Sequence, residues 1–369
     1  FDPETKTLKP EFIVAIGSIL FGVSFSPDGA SVAAAVGDRS AAVWDAATGE
    51  EKLVLRGHTG LVNSVTFGPN GRRLATASSD STVRVWAADT GEEIRSFEGH
   101  DGEVVGVNFS RDGRRLVTAS HDGTAKIWDT ETGRELLTLS GHAPVGWSLV
   151  RQSAHAFGLF RTSEAEGEIA HSFTYGVSSA VFSPDGRRIA TAGADGTARL
   201  WDAESGSPSF TLSGHRESLT GLAFSPDGKS LATTAPDGTV RLWDVETGAE
   251  LFSLRGDNLP GLVGVAFSPD GRTLAAASGR ASVQTWDIQT GATVRRVSLN
   301  LGNRSWSRQR GWAFSPDGRY IATNSMDGMV KVFPFAIEAL VSQARQRVRR
   351  PLTETECRLH LHLERCPEG

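Results

Sequence analysis

Apolar and polar residues alternate in short runs along most of this chain, and each run ends at a cluster of turn-forming residues. Residues 57–97 show the pattern well: Leu61 to Phe67 is apolar and β-branched, and Leu74 to Ser78 alternates. Thr82 to Trp86 has a period of two, and Glu93 to Phe97 forms a fourth run. Such runs are typical of β-strands. The pattern therefore predicts four short antiparallel strands in this segment.

The turns between the predicted strands recur almost unchanged. Pro presets φ at the second turn position, and Gly accepts the left-handed conformation that closes the turn. Ser-Pro-Asp-Gly stands at 26–29, 183–186, 225–228, 268–271 and 315–318. Thr-Gly follows the third strand at 48–49, 90–91, 132–133, 247–248 and 290–291. Gly-His precedes the first strand at 57–58, 99–100, 141–142 and 214–215.

The whole pattern repeats seven times, with 19 residues between a Phe and an aromatic residue in every copy. The pairs are Phe25/Trp44, Phe67/Trp86, Phe109/Trp128, Phe182/Trp201, Phe224/Trp243, Phe267/Trp286 and Phe314/Phe333. A unit of this size cannot bury its apolar face alone, so the copies must stack or close into a ring. We therefore predict an all-β propeller, with one four-stranded sheet per copy.

Trp-Asp at 44–45, 128–129, 201–202, 243–244 and 286–287, together with the phased Gly-His and turn motifs, resembles the WD-repeat family over roughly residues 12–335. The resemblance implies a β-propeller with a buried network that links Gly-His, a hydroxyl on strand two, a turn Asp and the strand-three Trp. Two repeats match this pattern fully, with His58, Ser78, Asp80 and Trp86 in one and His100, Ser120, Asp122 and Trp128 in the other.

Other repeats depart from the pattern, and we expect their blades to be locally weaker. The repeat with His215, Asp237 and Trp243 has Ala235 at the hydroxyl position, although Thr233 lies nearby. The repeat that ends in Trp286 has Asp257 and Arg280 in place of His and Asp, and the first repeat has Ile16 in place of His.

The spacing of the repeats leaves seven or eight blades open. Successive Phe anchors are 42 or 43 residues apart, except for 73 residues between Phe109 and Phe182 and 47 before Phe314. Residues 143–174 are either a loop inserted into seven blades, which we favour, or a degenerate eighth blade. After residues 1–11, a predicted linker, Phe12 to Ala15 occupies a fourth-strand position. We expect this strand to complete the last blade and to hide an edge strand.

Composition narrows the possible partners. The net charge of -5 gives no general reason to expect nucleic acid or an anionic membrane. The longest apolar stretch, around Phe12 to Val23, is too short to span a bilayer. Cys357 and Cys366 are the two cysteines, so no disulfide framework supports the repeats. This fits a reducing compartment, and we predict a cytoplasmic location.

Two motifs in the repeats suggest catalysis, but we interpret both as structural. The Asp-His-Ser set is the composition of a catalytic triad, yet it repeats beside a Trp as a structural element would. Gly228-Lys229-Ser230 resembles the end of a phosphate loop, but Ala223 occupies the place of the first Gly. The sequence predicts neither an enzyme nor a bound cofactor or metal.

The end of the chain differs from the repeats. Residues 336–369 are predicted to form a helical tail that packs on the propeller, since Ile337, Leu340, Val341, Ala344 and Val348 have helical spacing. Cys357, His360, His362 and Cys366 leave a zinc site, a disulfide and free thiols as alternatives. The tail is similar to the end of propellers at the C-termini of large bacterial signalling proteins, in which a STAND-type NTPase, a caspase-like, a TIR or a kinase domain is the effector.

These observations favour a protein-interaction scaffold or a ligand-sensing propeller of a larger signalling or defence protein; the alternative is an intramolecular lock on an attached effector. Loops on a rigid scaffold carry binding, and the residues just before the turn Asp or its equivalent vary while the frame repeats. The residues so placed are Gly37, Ser79, His121, Ala194, Pro236, Gly279 and Met326. A basic loop adds Trp306, Arg308 and Arg310, for which a nucleic-acid contact, a solvated loop and a protein contact stay open. We select Ser79, His121, Met326, Trp306, Arg308 and Arg310 as candidate partner-binding residues.

Overall fold

The computed structural model describes residues 7–8, 12–15, 20–142, 176–255, 261–278, 282–299, 312–325 and 329–335. These residues form β-strands joined by turns and contain no helix. The predicted insertion at 143–174 and the predicted helical tail at 336–369 lie outside them.

The strands of the described residues form seven sheets, which we call blades 1 to 7. Two strands precede the first blade, namely β1 (Thr7–Leu8) and β2 (Phe12–Ala15). Blade 1 holds β3 (Leu20–Phe25), β4 (Ser31–Val36), β5 (Ser40–Asp45) and β6 (Glu51–Arg56). Blade 2 holds β7 (Val62–Phe67), β8 (Arg73–Ser78), β9 (Val83–Ala87) and β10 (Glu93–Phe97). Blade 3 holds β11 (Val104–Phe109), β12 (Arg115–Ser120), β13 (Thr124–Asp129) and β14 (Glu135–Ser140).

The remaining blades follow the same plan. Blade 4 holds β15 (Val177–Phe182), β16 (Arg188–Gly193), β17 (Thr197–Asp202) and β18 (Pro208–Ser213). Blade 5 holds β19 (Gly221–Phe224), β20 (Ser230–Thr234), β21 (Thr239–Asp244) and β22 (Glu250–Arg255). Blade 6 holds β23 (Leu262–Phe267), β24 (Thr273–Ser278), β25 (Ser282–Asp287) and β26 (Thr293–Leu299). Blade 7 holds β27 (Trp312–Phe314), β28 (Tyr320–Ser325) and β29 (Met329–Pro334).

The seven blades close into a ring, which confirms the predicted seven-bladed propeller. The first strand of each blade contacts the first strand of the next, and β27 of blade 7 contacts β3 of blade 1. The predicted closure by an N-terminal strand is also confirmed, because β2 pairs antiparallel with β29, with Phe12 opposite Val332 and Ala15 opposite Met329. Within the segment predicted as a linker, β1 adds a parallel strand to β26 of blade 6.

The first strand of each of blades 1 to 6 has a small residue at one fixed position, three residues before the Phe anchor. In the described part of the chain these residues are Gly22, Ser64, Gly106, Ser179, Gly221 and Gly264. A Cβ added at Gly22 would lie 2.9 Å from the Cα of Ser64, and one added at Gly221 would lie 2.9 Å from the Cα of Gly264. At Gly22 and Gly221 the neighbouring first strands therefore approach so closely that a side chain would not fit.

The apolar core lies in layers between adjacent blades. Trp86 of blade 2 packs with Val43 and Leu55 of blade 1, and Trp128 of blade 3 packs with Val85 and Phe97 of blade 2. Each Trp therefore joins its own blade to the blade before it, as expected for repeats that cannot bury their apolar faces alone.

The antiparallel strands divide the loops between two faces. The turns between strands one and two and the turns between strands three and four lie on one face, which we call the turn face. On the turn face, the first turns contact one another, since Pro69 approaches Gly113 of the next blade and Pro316 of blade 7 approaches Gly29 of blade 1. We call this series the turn ring. The opposite face carries the turns between strands two and three and the connections between blades.

Candidate functional site: the network face

The face opposite the turn ring carries the Gly-His connections and the Asp turns, and we call it the network face. In blade 2, His58 lies in the β6–β7 connection, Asp80 in the β8–β9 turn, Thr76 on β8 and Trp86 on β9. His58 Nδ1 lies 2.9 Å from Asp80 Oδ2, and His58 Nε2 lies 2.7 Å from Thr76 Oγ1. The indole N–H of Trp86 donates to the same hydroxyl at 2.9 Å. One continuous chain of hydrogen bonds therefore joins two strands, the turn between them and the connection from the previous blade.

The chemistry of the four groups fixes the order of the protons. A Thr hydroxyl that accepts the indole N–H still has one proton to donate, and His58 Nε2 receives it. The other ring nitrogen then carries a proton, which it donates to the Asp80 carboxylate. The network therefore contains a neutral imidazole and a carboxylate, and each of these buried groups has a partner.

The pKa values of the network agree with this assignment. Burial lowers the pKa of His58, and the hydrogen bond from His58 to Asp80 only partly opposes that effect. Burial by itself would raise the pKa of Asp80, but hydrogen bonds from Thr82, from His58 and from the backbone N–H of Thr59 together lower it well below its usual range. The pKa values of Asp122 and Asp237 are lowered in the same way, because His and Thr donors outweigh burial.

The same network forms in blades 2, 3, 4 and 5. The His–Asp distances are 2.7 Å for His100 and Asp122, 3.1 Å for His142 and Asp195, and 3.2 Å for His215 and Asp237. The shared hydroxyls in these three blades belong to Thr118, Thr191 and Thr233. Each accepts the indole N–H of its Trp at 2.9 to 3.0 Å.

The glycine of Gly-His has its own role in this geometry. Gly99 has a φ of 143°, and a Cβ added there would lie 3.2 Å from Cη2 of Trp128. The connection therefore passes directly over the edge of the indole ring. This brings His100 into reach of Thr118 in the interior of the blade.

The structure corrects the predicted hydroxyl. Ser78 and Ser120 were expected to bond to the Trp, and this is wrong: Thr76 and Thr118 do so. Trp86 lies opposite Leu74 in the ladder, so its ring reaches the diagonal neighbour Thr76. Ser78 lies two residues further along the strand, about 7 Å away. Its Oγ instead accepts the backbone N–H of Asp80 at 3.1 Å.

Sequence reasoning also missed the network of blade 4 and undervalued that of blade 5. His142 and Asp195 are 53 residues apart, whereas His58 and Asp80 are 22 apart, and this longer interval hid their pairing. In blade 5, Thr233 is the regular hydroxyl rather than a substitute for Ala235. A Thr ten residues before the Trp is the signal that identifies all four networks.

The sequences of blades 1, 6 and 7 each lack one or more components of the network. Ala34 and Ala276 take the hydroxyl position in blades 1 and 6, and both are fully buried. Blade 7 has Phe333, which carries no N–H, at the Trp position. Ile16, Asp257 and Arg280, from which we predicted weaker blades, lie outside the described residues.

The networks cannot act on a substrate. The His side chains of blades 2 to 5 are exposed by only 1 to 3%, and Thr76, Thr118 and Thr233 are fully buried. Each hydroxyl is also committed to a Trp and a His. The described residues contain no group of three or more His, Cys, Asp or Glu side chains that could hold a metal. Cys357, His360, His362 and Cys366 lie outside them.

Ser79 and His121, the two candidate partner-binding residues that the structure describes, lie close together on the network face. Ser79 Oγ donates to Glu103 Oε2 at 3.2 Å, and His121 Nδ1 lies 3.8 Å from the same oxygen. The backbone N–H of Ser79 donates to the carbonyl of Leu61, whose side chain is 40% exposed. We call Leu61, Ser79, Glu103 and His121 the rim cluster. Met326, Trp306, Arg308 and Arg310 lie outside the described residues.

Leu61 and Glu103 are additions that the structure makes to the candidate site. Both stand six residues before the Phe anchor of their blade, where blade 5 has Ser218. This position varies among the blades, as does the position of Ser79 and His121. The comparison of corresponding positions among the repeats that selected Ser79 and His121 would therefore also have selected this position.

Seven blades closed into a ring, four of them with a buried His–Asp–Thr–Trp network, define a propeller of the WD-repeat type. The family model described as WD domain, G-beta repeat matches residues 16–45, 49–87, 91–129, 167–202, 206–244, 248–287 and 304–333, which is more than half of the chain. The chain belongs to this family. WD40 propellers are generally non-catalytic and typically bind protein partners.

A comparison with curated proteins gives no match. Within the described residues, no helix has the length and apolar character needed to cross a membrane.

Proposed function

We propose that this propeller is a non-catalytic interaction scaffold that captures a protein partner through the rim cluster. The main support for this proposal is that the buried network residues repeat from blade to blade, whereas the surface residues above them vary. Four consecutive networks fix the loops of blades 2 to 5, so the side chains above them have fixed positions before any partner arrives. Such preorganisation lowers the entropy cost of binding.

The chemistry of the rim cluster suits recognition of a protein surface. Leu61 offers exposed apolar area, and Glu103 is 42% exposed. Ser79 donates a hydrogen bond to Oε2 of Glu103, and His121 Nδ1 lies 3.8 Å from the same oxygen. Blade 4 carries Gly176 and Ala194 at the positions of Glu103 and His121, so that part of the face offers no comparable functional groups. The rim cluster is therefore a local feature of blades 2 and 3 and not a property of every blade.

The matched experiment uses the repeats as the source of substitutions. A partner is first identified with the unaltered propeller as bait, and its affinity is then measured for the variant Leu61→Ser/His121→Ala. These changes copy the residues at the same positions of blades 5 and 4. We expect Kd to rise roughly fivefold or more, the effect of losing about 1 kcal/mol at an interface. The control Arg187→Ala lies on the turn face and should leave Kd unchanged.

Folding must be unaffected for this result to count, so the thermal unfolding of each variant is measured beside its affinity. Equal affinity of the rim-cluster variant and the unaltered protein would contradict the proposed face. The predicted partner contacts of Met326, Trp306, Arg308 and Arg310 belong to the same proposal. Variants of His121, Met326 and Arg308 should each fold normally but bind the partner more weakly.

We further propose that the propeller is the sensor module of a larger cytoplasmic bacterial signalling or defence protein. The support is the resemblance of the tail, from Leu352 to Pro367, to the ends of such proteins. The reading frame before Phe1 tests this directly, since a nucleotide-binding, protease, TIR or kinase domain is expected there. Any enzymatic activity would belong to that domain, and partner capture by the rim cluster would then control it or release a lock.

A further inference from the structure

The turn ring carries an uneven distribution of charge. In blades 4 to 7 each first turn has one Asp, followed two residues later by one exposed cation. These pairs are Asp185 and Arg187, Asp227 and Lys229, Asp270 and Arg272, and Asp317 and Arg319. The formal charge of each of these turns is therefore zero.

The turns of blades 2 and 3 depart from this rule in the same direction. The blade 2 turn has Asn70 in place of the Asp and keeps the exposed Arg72. The blade 3 turn has Arg111 in place of the usual Pro and keeps Asp112 and Arg114. Each turn thus carries one net positive charge. Blade 1, with Asp28 and Ala30, carries one net negative charge.

The two basic turns are in direct contact. A Cβ added at Gly113 of the blade 3 turn would lie 3.4 Å from Cγ of Pro69 in the blade 2 turn. Arg72, Arg111 and Arg114 are all exposed. They therefore form one patch of three arginines and the Asp112 carboxylate, with two net positive charges, on the turn face of a protein whose net charge is -5.

The arginines next to this patch are already used inside the propeller. Arg73 pairs with Glu131 of blade 3 at 2.7 Å. Arg115 donates to the carbonyls of Ala203 and Gly186 at 2.8 and 2.7 Å, and its guanidinium lies 5.1 Å from the centre of the Phe182 ring. Among the described residues, by contrast, no ion pair forms to the three arginines of the patch.

We propose that Arg72, Arg111 and Arg114 dock an acidic peptide segment of a protein partner on the turn face. Guanidinium groups bind carboxylates with two parallel hydrogen bonds, and three of them on two touching turns match a short acidic run. The positive potential is limited to this short length by Asp28 and Asp185 on the neighbouring first turns and by the exposed carboxylates of Asp89, Glu92 and Glu131 on the adjoining strand-three turns. A long polyanion would extend beyond the patch over a negatively charged protein, and Arg72, Arg111 and Arg114 stand on turns that carry no aromatic residue for base stacking.

The test compares two sets of variants in the full chain. The first is Asn70→Asp/Arg111→Pro, which restores in blades 2 and 3 the residues that the other turns carry and therefore preserves the turns. The control is Arg187→Ala/Arg272→Ala, which removes two cations from neutral turns. Binding of a labelled peptide of alternating Glu and Ser is measured against the matched peptide of Gln and Ser.

We expect the unaltered protein to prefer the Glu peptide and the first variant to bind it roughly tenfold more weakly, since each exposed charge pair contributes up to about 1 kcal/mol. The control should bind within about twofold of the unaltered protein, and added salt should remove the preference for Glu. His121→Ala, on the network face, should leave this binding unchanged, which separates the patch from the rim cluster.

Two results would overturn the proposal. One is equal loss in the control and the first variant, which would show a general charge effect. The other is tighter binding of a single-stranded oligonucleotide through the same three arginines, which would make the patch a nucleic-acid site. Circular dichroism and thermal unfolding of both variants show whether any loss comes from misfolding.

Discussion

In blades 2 to 5 a buried Thr hydroxyl receives the indole N–H of the strand-three Trp, whereas in blades 1 and 6 the same backbone position carries Ala34 and Ala276. The backbone ladders of the two groups are nevertheless alike. Trp86 lies opposite Leu74 in blade 2, as Trp286 lies opposite Leu274 in blade 6. The sheet and its register therefore do not depend on the network.

A second difference lies on the turn face. Arg73, Arg115 and Arg188, at the start of strand two in blades 2 to 4, each reach the next blade. Blades 5, 6, 7 and 1 have Ser230, Thr273, Tyr320 and Ser31 at this position. Blades 2 to 5 are thus joined internally by the networks, and these three arginines also join each of them to its neighbour.

The comparison separates two contributions to the propeller. Apolar packing between blades, which every described blade shares, forms the ring. The networks add fixed loop positions on the network face, because each His joins an incoming connection to the interior of its blade. The rim cluster, at blades 2 and 3, stands on the part of the ring where these positions are fixed.

The largest expected effect tests the shared contribution. Trp128→Ala in blade 3 and Trp286→Ala in blade 6 both remove a buried indole, and each should lower the free energy of unfolding by about 3–5 kcal/mol. Trp128→Ala should cost more, because it also leaves the hydroxyl of Thr118 without its indole donor. Urea unfolding followed by far-UV circular dichroism measures both. A larger loss for Trp286→Ala would contradict the view that the network adds to packing.

Removal of the hydroxyl alone isolates the network. Thr118→Val keeps the shape of the side chain but leaves Nε2 of His100 and Nε1 of Trp128 without their partner, at a cost of about 1–3 kcal/mol for each. Ser120→Ala, at the position first predicted, should cost less, because among the described residues the Oγ of Ser120 forms hydrogen bonds only with the Asp122 N–H and the Gly102 carbonyl. Equal losses of stability in the two variants would contradict the assignment of the network hydroxyl to Thr118 and not to Ser120.

The fold could be predicted well from the sequence because the same pattern of strands and turns occurs several times in one chain. The blade, the ring and the closing strand at Phe12–Ala15 all follow from the 19-residue interval and the recurring turns. The hydroxyl was predicted incorrectly because Thr76 and Ser78 lie on the same side of one strand, and sequence cannot show which of them the indole reaches. Glu103 was missed because its role depends on contacts with Ser79 and His121 on separate loops.

Acid should weaken the network blades selectively. The pKa of Asp80 is lower in the folded protein than its ordinary value, so its contribution is present above about pH 4 and is lost as the pH falls further. The pKa of His58 is also lowered, so the unfolded chain takes up a proton first and stability declines as the pH falls below about 6.5. Both effects have the same sign.

Blade 6 has Arg280 at the Asp position and Asp257 at the His position, so it lacks this carboxylate–imidazole pair. Urea unfolding of the unaltered protein and of an Asp80→Asn variant at a series of pH values therefore measures the contribution of the blade 2 pair. Asp80→Asn should reduce the loss of stability below about pH 4 relative to the unaltered protein. An identical acid profile for the two proteins would show that Asp80 does not titrate with unfolding.

The smallest effect is expected at the joints between blades. Arg73 and Glu131 pair at 2.7 Å, but their side chains are 28% and 68% exposed, so water and salt weaken the attraction. Arg73→Ala should lower the free energy of unfolding by about 0–1 kcal/mol, and added salt should shrink the difference. Arg115→Ala should cost more, because Arg115 makes two hydrogen bonds to carbonyls and covers the Phe182 ring. If Arg73→Ala were the more damaging change, the polar ties between blades would depend on the ion pair and not on the buried backbone contacts.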